Sequence, residues 1–240
     1  TEATSQGEEL YISMNSTGEQ LSTNEIKKAE ILSREKAINF GNKWETWQNL
    51  FWWKRCEGIS KVTGEENADK GFNNYLLCIE DLERKFEQGI PQSDTFQIYM
   101  DALCLVTNTS CEEKSSKGED LLLKKLDDLH LPTEWLLDFR EKIWNILNTE
   151  WSIGEKITDA AFQKTMLFWP WMYFCKSIRN KSQQANSLKD VLNNHLEDLL
   201  RILHLFYIRY HCDKRDYRKI KTAIDKIIEE DSYKNALDEI

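Results

Sequence analysis

Between Met166 and Cys175 the chain reads MLFWPWMYFC, ten consecutive residues without a charge, five of them aromatic. A helix that is apolar on every side has to be surrounded by protein. This one falls well short of the roughly 20 apolar residues that cross a bilayer, and Lys164 and Lys176 bracket it. The stretch 158–181 therefore reads as a buried central helix. It should bend where Pro170 lacks an amide donor and its ring crowds the carbonyl one turn back.

What surrounds such a helix must bury its own apolar stripes against it, and the flanking sequence has the matching 3.6-residue period. Ser22 and Glu25 have capping-box spacing, and a helical period follows through Ile26, Ala29, Ala37 and Phe40. Past Gly41 it continues through Trp44, Trp47, Leu50 and Phe51, so one helix bends at Gly41 or two meet there. Further stripes run through Tyr75, Leu76, Ile79, Leu82 and Phe86, and through Phe96, Tyr99, Met100 and Leu103. Asp120–Leu131 is a short helix ended by Pro132, and Thr133 introduces the next, with Trp135, Leu136, Phe139, Ile143, Ile146 and Leu147 inward. Beyond the central helix, Ser187 starts one helix reaching Tyr210. The last, from about Asp216, turns Ile220, Ala223, Ile224, Ile227 and Ile228 inward, and Tyr233 sits in a final turn that folds back.

Three prolines and nine glycines in 240 residues are too few for a turn-rich β fold, and no fixed period marks a solenoid. The expected class is all-α: an irregular bundle of about seven to nine helices around the aromatic one. Residues 1–21 read as a flexible polar tail and 22–240 as a single helical domain. The polar run 107–119 is the place for a hinge.

The net charge of −9 is unevenly spread. Residues 1–120 carry 22 Asp/Glu against 13 Lys/Arg, while 121–240 carry 19 of each. An acidic half repels nucleic acid and anionic membranes and attracts basic proteins. Within it, Trp44, Trp47 and Phe51 share one helix face, whereas Trp52 and Trp53 point aside, to a second helix contact or to solvent. Glu45, Trp52, Trp53, Glu57, Glu65 and Glu66 form the candidate surface for a basic protein partner. The opposite charge is concentrated in Arg209, Lys214, Arg215, Arg218, Lys219 and Lys221, with Tyr210 and Tyr217 interleaved, the candidate phosphate contacts of a nucleic-acid-associated subunit.

Catalytic signatures are missing. There is no GxxxxGK[ST] or GxGxxG loop, no GxSxG elbow and no HExxH. His204 and His211 are seven apart, and Asp127 with His130 stands alone, so no metal or cofactor is expected. The six cysteines form no CxxC pair and read as reduced, mostly buried thiols. Three Asn-x-Ser/Thr sequons, at Asn15, Asn108 and Asn180, are about the number chance predicts from this composition, and the expected location is cytoplasmic. The sequence thus favours a non-catalytic helical interaction module, of inhibitor, immunity or scaffold type. Nucleic-acid association through 209–221 is the alternative. A helical enzyme with a pocket beside Trp169–Tyr173 and His204 is the third possibility.

Overall fold

The computed structural model describes residues 23–34, 40–56, 70–85, 93–110, 119–148, 164–181, 188–211 and 217–234. Among these the chain is all-α, with ten helices and no strand. They are α1 (Thr23–Arg34), α2 (Phe40–Cys56), α3 (Lys70–Lys85), α4 (Ser93–Thr107), α5 (Leu121–Asp128), α6 (Glu134–Asn148), α7 (Trp169–Lys181), α8 (Leu188–Asn193), α9 (Leu196–His211) and α10 (Tyr217–Glu229). The expected tail at 1–21 and most of the polar run, 111–118, lie outside the described residues.

The aromatic segment is the centre of the molecule. Trp169 to Lys176 are all buried, and α3, α4, α8, α9 and α10 all pack on α7. The break in this helix falls at Phe168, two residues before the proline. A helical turn over 164–167 ends there, and Pro170 occupies the first turn of α7, where a missing N–H costs nothing. The Phe168 amide reaches the Lys164 carbonyl at 2.9 Å, and the Trp171 indole donates to the Leu167 carbonyl at 2.5 Å, so the interruption leaves that carbonyl satisfied.

The other aromatics extend this core. Phe40 meets Trp44 with ring centroids 5.7 Å apart, Trp44 meets Phe72 at 5.0 Å, and Phe72 meets Phe51 at 5.2 Å. From Phe51 the contacts continue to Tyr75 at 5.7 Å, Phe168 at 6.3 Å and Trp171 at 6.1 Å. Edge-on and tilted pairs of this kind add about 0.5–1.5 kcal/mol each beyond their area. Gly71 permits the close approach of α3: a Cβ there would sit 3.2 Å from Asn148 Oδ1 and 3.3 Å from the Phe51 ring.

α10 lies along α7. Trp169 Nε1 donates to Asp225 at 2.9 Å and the Tyr173 hydroxyl to Glu229, so both helices advance four residues between bonds and run parallel. Past α10, Asp231 takes φ 55° and the chain turns to seat Tyr233 edge-on against Phe174 at 5.7 Å, while the residues after 234 lie outside those described.

Three expectations need correction. The single helix expected over 187–210 is two, because the chain turns at 194–195, where Asn194 and His195 follow Asn193 and the His195 amide bonds the Leu192 carbonyl at 2.8 Å. Asn side chains compete with helical backbone bonds, which favours such a stop. Ala223 is exposed, while Ile224 and Ile228 are buried and Ile227 packs partly buried against the core; the side chain of Ile220 lies outside those described. Cys56, Cys78 and Cys175 are reduced, but Cys104 is disulfide-bonded. It lies beside the buried Phe96–Leu103 stripe and is half-buried.

Candidate functional site

Two places concentrate chemistry among the described residues; the sequence pattern did not single out the first, and it pointed to the second only as a pocket beside Trp169–Tyr173. The first is a polar network inside the core. Lys176 of α7 reaches Glu83 Oε1 of α3 at 2.5 Å, and both side chains are almost wholly buried. The Tyr99 hydroxyl of α4 donates to the same oxygen, and Tyr75 donates to the Tyr99 carbonyl at 2.6 Å. Glu83 Oε2 has no hydrogen-bond partner. Burial, reinforced by the Glu83 carboxylate, pushes the Tyr99 phenol far above its ordinary range, so it serves only as a proton donor. Next to Lys176, burial alone raises the Cys175 thiol well above the usual cysteine range, and it packs as a small apolar group. Tyr75, Tyr99 and Glu83 are wholly enclosed, which leaves a substrate no path to them. The network ties α3, α4 and α7 together.

A signal for it existed. Glu83 continues the stripe of Leu76 and Ile79 at helical spacing, and Lys176 follows Met172 by four on a helix apolar all round. A charge on the buried face of each of two helices is the mark of a paired interior ion.

The second place is a cavity of about 220 Å³ between α3 and the 164–172 segment. Leu77, Leu82, Phe168, Trp169 and Met172 give it apolar walls; Cys78, Asp81, Arg84, Lys164 and Thr165 supply the polar part. Desolvation lowers the Lys164 ammonium to about 8, against the opposing pull of Cys78 and Asp81. This is a pocket beside the start of the expected Trp169–Tyr173 run, but His204 does not line it. The His204 ring packs instead on Trp135 at 4.9 Å. The neighbouring Tyr207 donates to Asp138 of α6 at 2.6 Å.

The sequence-derived partner surface is only partly described. Glu45 is exposed on α2 and pairs with Lys28 of α1 at 3.0 Å. Trp52 is half-buried, and Trp53 is 61% exposed. Glu57, Glu65 and Glu66 lie outside the described residues. Of the basic set, Arg209 is exposed near the end of α9, while Lys214 and Arg215 lie outside the described residues. Arg218, Lys219 and Lys221 belong to the first turns of α10. At Asp127 and His130, the pair with ligand-like spacing, the His130 amide bonds the Asp127 carbonyl at 3.0 Å, and His130 takes φ 56° as α5 ends. No cluster of three or more His, Cys, Asp or Glu side chains suited to a metal occurs among the described residues, and none of their helices is long and apolar enough to cross a membrane. No family model, curated protein or solved structure matches the chain.

Proposed function

We propose that the chain is a non-catalytic helical protein–protein interaction module that docks a basic protein on the outward face of α2. The observation carrying this reading is Trp53, 61% exposed on a helix that buries Trp44 and Trp47. Asn42, Glu45, Asn49 and Trp53 are all exposed. At about 100° per residue they fall within an arc of about 80°. A large indole ringed by short polar side chains has the composition of an interface hot spot and its rim. The acidic excess of residues 1–120 supplies charge complementarity to a basic partner, which acts mainly by speeding encounter. The disulfide at Cys104 suits an oxidising compartment better than the cytoplasm expected from the sequence.

The test is affinity purification of the intact chain from its native source at low and high salt, alongside Trp53→Ala and a control, Leu137→Ala, at another exposed apolar position. The wild type and the control should retain a stoichiometric basic protein that high salt weakens, and Trp53→Ala should lose it at least tenfold. Trp53→Ala should also shift the urea midpoint by less than about 0.5 kcal/mol equivalent, as surface substitutions do. A partner held equally by Trp53→Ala removes the reading.

A further inference from the structure

The sequon Asn108-Thr109-Ser110 begins where α4 ends, one helical turn after Cys104. We propose that Asn108 is an N-glycosylation site, which takes an oligosaccharide from a pyrophosphate-linked lipid donor in an oxidising, secretory compartment. This does not rest on the α2 surface and shares with that reading only the compartment indicated by Cys104.

Three sequons are about what chance predicts, so their number decides nothing and their placement has to. Asn15 lies outside the described residues, and Asn180 is exposed in the last turn of α7 with its Ser182 outside them. At 108–110 all three residues are described: Asn108 and Thr109 are half-buried and Ser110 is exposed. Asn108 takes φ 50°, and the Thr109 amide bonds the Cys104 carbonyl at 3.0 Å, which closes the last turn of α4 and carries the chain away from it. The buried Thr107 hydroxyl donates to the Leu103 carbonyl at 2.7 Å and lies 2.8 Å from the Thr109 hydroxyl, so the turn is pinned from within. A left-handed residue by itself accounts for an Asn at 108. It does not account for the hydroxyl at Ser110, the group that makes this Asn an acceptor.

The second observation is the disulfide at Cys104. Disulfides persist in the oxidising compartments of secreted proteins, where N-linked sugars belong to surface loops. A chain that holds this disulfide has met the conditions under which its sequons are offered for transfer. A bulky hydrated glycan at 108 would cover this end of α4 and keep other proteins from it.

In the transfer, the side-chain nitrogen of Asn108 bonds the anomeric carbon of the donor sugar as the bond from that carbon to the pyrophosphate oxygen breaks. The electron pair of that bond leaves with the lipid pyrophosphate. The amide gives up one proton to a base of the transferase, and nothing is oxidised or reduced.

The experiment takes the intact chain from its native source, digests it with a peptide-N-glycosidase in heavy-oxygen water, and reads peptides by mass spectrometry beside thiol alkylation before and after reduction. Asn108 should become heavy-labelled Asp in most molecules, and Cys104 should alkylate only after reduction. In a eukaryotic secretory host, Asn108→Asp keeps a residue tolerant of the left-handed turn and Ser110→Ala keeps the Asn itself. Each should lose the glycan mass from this peptide with an unchanged far-UV spectrum, and Ser110→Thr should retain it. An unlabelled Asn108 in the native chain, or a glycan that survives Ser110→Ala, overturns the proposal. If Cys104 still alkylates only after reduction in that event, the compartment stands and the glycan alone falls; alkylation without reduction removes both.

Discussion

A carboxylate and an ammonium each lose several kcal/mol of hydration on entering a core, and mutual attraction restores this only when geometry and further hydrogen bonds are good. At Glu83 the return comes from Lys176 and Tyr99 on one oxygen, while the other oxygen has no hydrogen bond. The pair therefore fixes how α3, α4 and α7 meet and adds little net stability. Lys176→Met strands a buried carboxylate and should cost about 3–5 kcal/mol in urea unfolding, whereas the double variant Glu83→Leu, Lys176→Met should recover most of that loss. Equal losses in the single and double variants would show that volume, and not charge pairing, sets the cost. At this scale the sequence was only partly readable. Periodicity places Glu83 on an apolar stripe, but which cation meets it depends on a contact 93 residues away that no local pattern encodes. The angle of Trp53 to Trp44, Trp47 and Phe51 on one helix set it aside from their face but left a second helix contact and solvent both open; its 61% exposure is what the fold adds.

Helix ends are joined by a different ion pair. Arg140 of α6 donates through Nε to the Val106 carbonyl at 2.7 Å, near the end of α4, and through both terminal nitrogens to Asp120 at 2.6 and 2.9 Å. Asp120 is also the N-cap of α5, accepting from the Leu123 amide at 3.1 Å. One guanidinium thus holds both described ends of the polar run expected to hinge. Burial acts to raise the Asp120 carboxyl, but its bonds from Arg140 and from the Leu123 and Leu122 amides outweigh that and hold it below the usual carboxylate range. Its folded pKa being the lower one, the clamp contributes fully above the unfolded value near 3.8 and is lost as pH falls through the folded value. Asp120→Asn should therefore lower stability at pH 7 and flatten the stability–pH slope below about 4, as read from urea midpoints; an unchanged acid slope would exclude the clamp as its source. Element positions were largely legible because stripes and caps are local, as with Thr133, whose carbonyl accepts the Leu136 amide at 3.1 Å. Breaks were less so: the turn at 194–195 and the stop at Phe168 depend on side chains and neighbours that satisfy the released backbone groups.

For the whole molecule, the ring contacts from Phe40 to Trp171 make the N-terminal helices and the central helix one continuous core. Urea unfolding followed by tryptophan emission and by far-UV circular dichroism should give coincident transitions. Separate transitions, with α1 and α2 melting first, would divide the described residues into two cooperative units. The order in which a ribosome delivers these parts adds a further condition. Glu83 is synthesised 93 residues before Lys176, a wait of about 5–20 s at ordinary elongation rates. Until that interval ends α3 and α4 lack the helix that covers them, and Glu83 lacks the ammonium that pairs with it in the folded core. The nascent chain thus carries uncovered apolar stripes for seconds, surface of the kind that aggregates when unfolded chains meet and that chaperones hold.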